Sequence, residues 1–434
     1  MRSVLLKTVI ANLIGPLSTF LAAPILAQGL GASARGELAA STMPLTLVAA
    51  ALTLGLPESL AFYLSGRRSD YVSARNKSFI ILFIAGLLGS AALLGLSSVL
   101  GGGNVKVTKL ISYSCIFAVP SIIMWASRGL SQGMQLWNRL NAEKIIVGVS
   151  RLAAIIILIV IGKLNLESTF IVYVLAPLTG FCAYINLKKS ALKRIDPNAP
   201  RMINATLLRF GLRVWWGSLA GILLTRLDQV LMLTISTDTE LGYYSAAATV
   251  ADIPLIITAA VSTLLLSREA ESPKLSRTTQ ASRLTLWLVL AGVTATGTTA
   301  YWWFPWAFGQ EFAPGIPSLL ILLVSMALTA PSSVAGSFMT ARERPTSRSI
   351  SLVMGLAVNM VLFFALVPRL GALGAALATA GGQLVVVIAN LTQMRIYFGV
   401  QIYNMVLPNR EDLSWARETL SLAIKKLKPK VDHT

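Results

Sequence analysis

Residues 209–236 read RFGLRVWWGSLAGILLTRLDQVLMLTIS, followed by the polar break TDTE (237–240) and LGYYSAAATVADIP (241–254). The first stretch is long enough to cross a bilayer as a helix, since about 20 apolar residues at about 1.5 Å rise span the hydrocarbon. Yet Arg226 and Asp228 lie inside it, and an ionisable side chain at that depth is costly against lipid. This helix must therefore turn one face to a polar interior. The rest of the chain reads as the wall of that interior.

A mean hydropathy of +0.70 with only 13% charged residues excludes a soluble globular protein. Apolar runs predict about twelve spans, near 7–30, 38–64, 78–100, 110–131, 145–161, 168–187, 206–235, 241–267, 284–308, 316–340, 350–368 and 371–397. The amino terminus has some features of a signal peptide, but its apolar run reaches Leu30 and another span follows, so it counts as the first helix. Cys115 and Cys182 fall inside apolar runs and read as small packing residues. His433 is the only histidine, which removes histidine-based metal and general-base chemistry; no metal or cofactor is expected.

Charge then assigns sides. Connections after the even-numbered spans carry GRRSDYVSARNK, NRLNAEK, KKSALKRIDPNAPR, SREAESPKLSRTTQASR and ARERPTSRS. Those after the odd-numbered spans carry GLGASARG, GGGNVKVTK, GKLNLES, STDTE, GQEFAPG and VPRLG. The bias of Lys and Arg towards the first set predicts that both termini are cytoplasmic. It also accounts for the net charge of +19 without a nucleic-acid partner. The outer connections are short, which argues against a membrane glycosyltransferase or polymerase that must hold an acceptor there.

The connection from Lys188 to Arg209 divides the spans into two sets of six. The expected organisation is a first lobe over 1–190, a cytoplasmic linker over 191–205, a second lobe over 206–398 and a cytoplasmic amphipathic tail over 399–434. Gly36 and Ala40 near the start of the second span are echoed by Gly242 and Ala246 near the start of the eighth. Pro16, Pro24, Pro44, Pro57, Pro120, Pro177, Pro254 and Pro331 lie inside spans and are candidate bends. In the tail, Asn409 is a candidate helix cap with Asp412 three residues on. The lysines at the tail's end suit either anionic lipid or solvent.

Seven charged residues within the spans are candidate site residues. Arg128 and Arg213 sit near the cytoplasmic ends of their spans, where long side chains snorkel to the interface. Arg151 lies deeper. Arg226 is about 25 Å along the helix from Arg209, too deep to snorkel inwards. Asp228, two residues on, points to nearly the opposite face; it reads as an inter-helix anchor or a transport residue. Asp252 has a depth similar to Arg226, so the two are a candidate pair. Glu58 is a candidate coupling site or a partner for Arg151 or Arg67.

Three stretches resemble the polysaccharide-transporter, or Wzx-like lipid-linked oligosaccharide flippase, family of the MOP superfamily. They are LAQGLGASARGELAA; LLTRLDQVLMLTISTDTELGYYSAAATVADIP; and FAPGIPSLLILL with FMTARERPTSRS and NMVLFFALVPRLGALGAALATAGG. The resemblance implies an all-α polytopic membrane protein with two six-helix lobes around a central cavity and alternating access. The implied cargo is a polyprenyl-pyrophosphate-linked oligosaccharide, moved to the outer leaflet of the bacterial cytoplasmic (inner) membrane. Other partners would be membrane lipids and polysaccharide-assembly membrane proteins. Arginines in a wet cavity suit a pyrophosphate, so Arg226, Arg151, Arg128 and Arg213 become candidate substrate ligands. Asp252, Glu58 and Asp228 become candidates for coupling to an H+ or Na+ gradient. A multidrug or cation antiporter of the same superfamily is the alternative, and it would favour acids over arginines.

Overall fold

Two of the turns between crossing segments are made at single glycines. In the computed structural model, which describes residues 2–65, 71–185, 204–254, 258, 275–342, 345–409 and 412, helix α1 (Arg2–Ala51) continues through Pro16, Pro24 and Pro44. It breaks at Gly31, whose φ of 81° lies in the left-handed region that a side chain disfavours. Intramembrane helices tolerate proline because neighbouring elements satisfy the freed carbonyls.

The following helices are α2 (Leu56–Ser65), α3 (Tyr71–Leu100), α4 (Val105–Ser114), α5 (Ala118–Gly133), α6 (Trp137–Val160) and α7 (Leu166–Thr179). The second half contains α8 (Asn204–Ile235), α9 (Asp238–Ala251), α10 (Leu275–Phe308), α11 (Ile316–Ala341), α12 (Pro345–Phe398) and the short α13 (Tyr403–Val406). A 3-10 turn over Cys115–Phe117 joins α4 to α5 into one crossing segment. Helix α12 repeats the device of α1, breaking at Gly371 (φ 53°) between two crossing segments. Counted this way the crossing segments number about twelve, and no strand forms among the described residues. The protein is an all-α polytopic membrane protein.

The connections assigned by charge to one side do meet at one end. A side chain on Gly31 would touch the Glu311 carboxylate, one on Gly29 would strike Leu164, and one on Gly102 would strike the Leu233 carbonyl. Ser33 donates to Asp238 (3.0 Å), Gln28 donates to the Ala307 carbonyl (2.7 Å), and the Glu240 carboxylate accepts from the Ala372 amide (2.7 Å). This low-charge end is where the two halves are sealed together. At its centre, the backbones of α1 and α9 touch: a Cβ on Gly36 would collide with the Asp238 carbonyl, and one on Gly242 with the Ala32 carbonyl. The echoed glycines of the sequence thus face each other across the seam. Ala40 and Ala246 are buried behind them.

At the opposite, basic end, α2 and the start of α8 also pack closely. Ser59 donates to the Leu207 carbonyl (2.7 Å) and the Trp215 indole to the Ala51 carbonyl (2.7 Å). The start of the tail is fixed here too. Arg283 of α10 grips Asp412 through two hydrogen bonds of 2.6 and 2.8 Å and donates to the Asn404 carbonyl. The guanidinium holds the Asp412 carboxyl below the usual carboxylate range. Asp412 also accepts from the Asn409 backbone amide (2.8 Å), the return bond of a capping box with Asn409 at the cap position. The rest of the proposed amphipathic tail lies outside the described residues.

Candidate functional site

Helix α8 runs between the halves, against α12 on one side and α1 and α2 on the other. Its Gly217 and Gly221 face Ser349 and Leu352 of α12, which fixes the rotation of the helix. Arg226 and Asp228, about 200° apart around the axis, therefore enter different surroundings. Arg226 pairs with Asp252 at 2.7 Å, as the shared depth predicted, and each side chain keeps 34% of its surface exposed. That exposure matters: a ligand has access to both partners.

Asp228 is buried. Its carboxylate accepts from the Tyr244 hydroxyl, from the Thr379 hydroxyl at 3.1 Å and from the Gln229 amide at 2.7 Å. Asn359 donates to the same Thr379 at 3.5 Å, and its own carbonyl oxygen is buried without a partner. Helices α8, α9 and both segments of α12 are thereby tied at one point. Thr379 ends the Pro-x-x-G-x-x-GAA run that begins at Val367, and Gly374 in that run lies against the Leu366 carbonyl, which gives the motif its close turn.

Arg128 does not snorkel to the interface. It makes hydrogen bonds of 2.9, 3.0 and 2.6 Å with Glu143, while Tyr184 donates to the same carboxylate at 2.9 Å. The sequence placed Glu143 in a loop, but α6 begins at Trp137 and carries it inwards to 1% side-chain exposure. Arg128 also stacks on Trp125, and it is the counter-charge of a carboxylate that is almost fully buried. Removing one partner of a buried pair strands the other charge, at about 3–5 kcal/mol. Arg128→Ala is therefore expected to lower thermal stability strongly and Arg128→Ala/Glu143→Gln to recover much of it; equal melting of Arg128→Ala and the parent protein would remove this structural assignment.

Arg151 bends towards the first segment of α1. It donates to the Gly15 carbonyl (3.1 Å), Ser18 (3.0 Å) and Thr19, and lies 5.8 Å from the Tyr173 ring centre. It does not meet Glu58, whose position in the first turn of α2 suits the helix dipole and whose Oε2 is buried without a partner. Arg67 lies outside the described residues. Arg213 is exposed and, with Arg209, Thr206, Ala205, Phe210 and Tyr63, lines a cavity of about 470 Å³ at the basic end. Phe62 stacks on Phe210 beside it, with ring centres 4.5 Å apart.

Arg35 was missed as a site candidate. The sequence put it in the first outer connection, but the alanine-rich chain resumes helix directly after Gly31 and buries it to 5% exposure. The helix-forming alanines around it were the available signal. Tyr244, Thr379 and Asn359 were missed because each is an ordinary polar residue in its own span.

These features describe a helical membrane protein, and solved membrane transporters share its fold. The chain superposes on the lipid II flippase MurJ in an inward closed conformation with TM-score 0.73 and 15% identity, covering 98% of this chain and 92% of that one. An inward-facing multidrug resistance MATE family transporter of the MOP superfamily gives TM-score 0.70 at 16% identity, over 92% and 98% of the two chains. A MOP superfamily transporter from Pyrococcus furiosus, described by a binding pocket of reverse polarity, gives 0.59 at 16%, over 93% and 96%. Comparison with curated proteins finds no match. Residues 5–266 match the model of the polysaccharide biosynthesis protein family, and the chain belongs to that family.

Proposed function

We propose that the protein flips a polyprenyl-pyrophosphate-linked oligosaccharide from the cytoplasmic to the outer leaflet by alternating access, its basic end and both termini facing the cytoplasm. The observation that carries this reading is the half-exposed Arg226–Asp252 pair deep in the chain's central helix. A pyrophosphate in the cavity competes with Asp252 for the planar guanidinium, which suits two phosphate oxygens. Once displaced, the Asp252 carboxylate lacks its cation at a depth where bare charge is unfavourable, so it takes up H+ or Na+. Cargo binding and ion uptake are then one exchange at one arginine. Asp228, saturated by neutral donors, serves as the anchor of the second half rather than as the exchanging acid. The cavity at the basic end, with Arg209, Arg213 and its aromatic rings, is where a phosphorylated sugar first meets the protein.

The decisive measurement is reconstitution in liposomes with the lipid-linked oligosaccharide, scored by access of an added glycosidase to the glycan. Gradient-dependent flipping is expected. Export of a cationic dye without glycan movement would replace this reading with the antiporter.

Orientation has its own test in a background lacking Cys115 and Cys182. Thr237→Cys and Gln310→Cys are expected to react with an impermeant thiol reagent on intact cells, and Ser276→Cys and Ser347→Cys only after lysis. The opposite labelling pattern would invert the topology.

A further inference from the structure

The second span of the chain is interrupted. Helix α1 ends at Ala51 and α2 begins at Leu56, and the turn between them holds Leu54 at φ 51° and Gly55 at φ 66°. Leucine is strained in that region, and such strain persists only where the surroundings enforce it. Here the surroundings are α8. A Cβ on Gly55 would collide with the Gly211 carbonyl and one on Gly211 with the Leu54 carbonyl, so the two backbones touch. The Trp215 indole donates to the Ala51 carbonyl at the end of α1, and Ser59 donates to the Leu207 carbonyl, each at 2.7 Å. Phe210 stacks on Phe62 with ring centres 4.5 Å apart and meets Tyr63 edge-on at 5.6 Å.

These contacts join parts that belong to different halves. Helix α2 is fixed to α5 of the first half, since a Cβ on Gly129 would strike the Pro57 backbone and one on Gly133 the Leu60 carbonyl. Helix α8 is fixed to α12 of the second half, where a Cβ on Gly217 would strike Ser349. Leu207 of α8 is nevertheless buried in the same apolar cluster as Leu56, Leu60 and Leu130, so this seam is apolar inside. The halves also meet at the low-charge end, through Gly36 and Gly242 and through Gly102 against the Leu233 carbonyl. The Arg226–Asp252 pair lies between the two seams, roughly 16 Å along α8 from Trp215 and roughly 10 Å from Leu233.

We infer that this conformer is closed at both ends and that the α2–α8 seam is the gate at the basic end. When the halves part there, Trp215 releases the Ala51 carbonyl, Phe210 leaves Phe62, and the turn at Leu54 loses the backbone that holds it. Water replaces the two hydrogen bonds, whereas exposing Leu207 and the rings is unfavourable, so apolar burial keeps the gate shut. Tyr63 and Phe210 also line the cavity that holds Arg209 and Arg213, so a phosphorylated group drawn to those arginines arrives at the seam itself. The inference rests on the alternating-access reading above but not on the identity of the cargo.

The test uses the purified full chain without cargo, in the background lacking Cys115 and Cys182. Phe62→Cys/Phe210→Cys is expected to cross-link readily under mild oxidation, and the linked protein to lose transport until it is reduced. Ile222→Cys serves as a reporter, one turn before Arg226 on the same helix face, and should react slowly with an impermeant thiol reagent. Gly211→Leu overpacks the backbone contact and should speed that reaction by about tenfold or more. A Ser33→Cys/Asp238→Cys pair in the same variant should still cross-link, which locates the opening at the basic end. Trp215→Phe, which loses the indole N–H and keeps an aromatic ring, should speed the reaction by less and keeps the gate testable if the leucine variant does not fold. A labelling rate that neither variant changes, or full transport with positions 62 and 210 linked, would overturn the gate. Cross-linking and labelling need no cargo, so a failure of glycan flipping overturns the proposed cargo while these two readouts still decide the gate.

Discussion

Replacing Gly242 with leucine is expected to abolish transport while leaving a folded, inserted protein. At the low-charge end, α1 and α9 touch backbone to backbone, and a Cβ at Gly242 points directly into the Ala32 carbonyl. Backbone cannot give way as a side-chain tip does, so the closed seam is overpacked by about 3 kcal/mol, enough to shift a two-state equilibrium by roughly 100-fold. A transporter held open at one end binds cargo but does not complete the cycle. Ser33 and Asp238, which hydrogen-bond across the same seam at 3.0 Å, provide the structural readout. Cysteines at these two positions should cross-link readily in the parent and poorly beside Gly242→Leu. Gly95→Leu is the control, because nothing lies within 4 Å of a Cβ at that position. Its transport should be normal. Full flipping by Gly242→Leu together with an intact Ser33–Asp238 cross-link would show that closure of this seam is not needed.

The architecture was legible because its causes are coarse. Apolar run length gives the crossing segments, and the scarcity of Lys and Arg picks out the connections that meet at one end of the structure. The Gly36–Gly242 contact was visible as an echo, since close backbone approach requires small residues at matching positions in both helices. The connections expected at GLGASARG (29–36) and VPRLG (367–371) coincide with the turns at Gly31 and Gly371, where left-handed backbone lets one helix follow another without a longer loop. Within the site, depth along a helix could be counted, so Arg226 and Asp252 were paired in advance. Direction around a helix could not. Arg128 reads as interfacial because it lies near the end of its span and its partner Glu143 falls in the connection NRLNAEK, and Arg35 reads as part of a connection because the second span is placed from residue 38. Both errors move a helix boundary by a few residues, yet each changes a buried charge into an exposed one.

Arg226 carries the strongest functional expectation. Arg226→Ala should eliminate flipping of the lipid-linked oligosaccharide in liposomes, because no other described side chain combines that depth with an exposed guanidinium beside an exchangeable acid. Arg226→Lys should restore only part of the rate: an ammonium keeps the charge but lacks the fork that holds two phosphate oxygens. Stability separates this role from mere structure. With each partner 34% exposed, water partly solvates a stranded charge, so Arg226→Ala should cost about 1–2 kcal/mol rather than the value for a fully buried pair. Arg226→Ala/Asp252→Asn should recover that loss and still not transport. Asp252→Asn alone should bind cargo tightly, since its competitor for Arg226 is gone, while flipping loses its dependence on the ion gradient. Retained gradient dependence in Asp252→Asn would place the coupling acid elsewhere. An Arg226→Ala variant with parental melting and parental flipping would leave the pair with neither a structural nor a transport role, because an arginine that grips the cargo cannot be removed without slowing its movement.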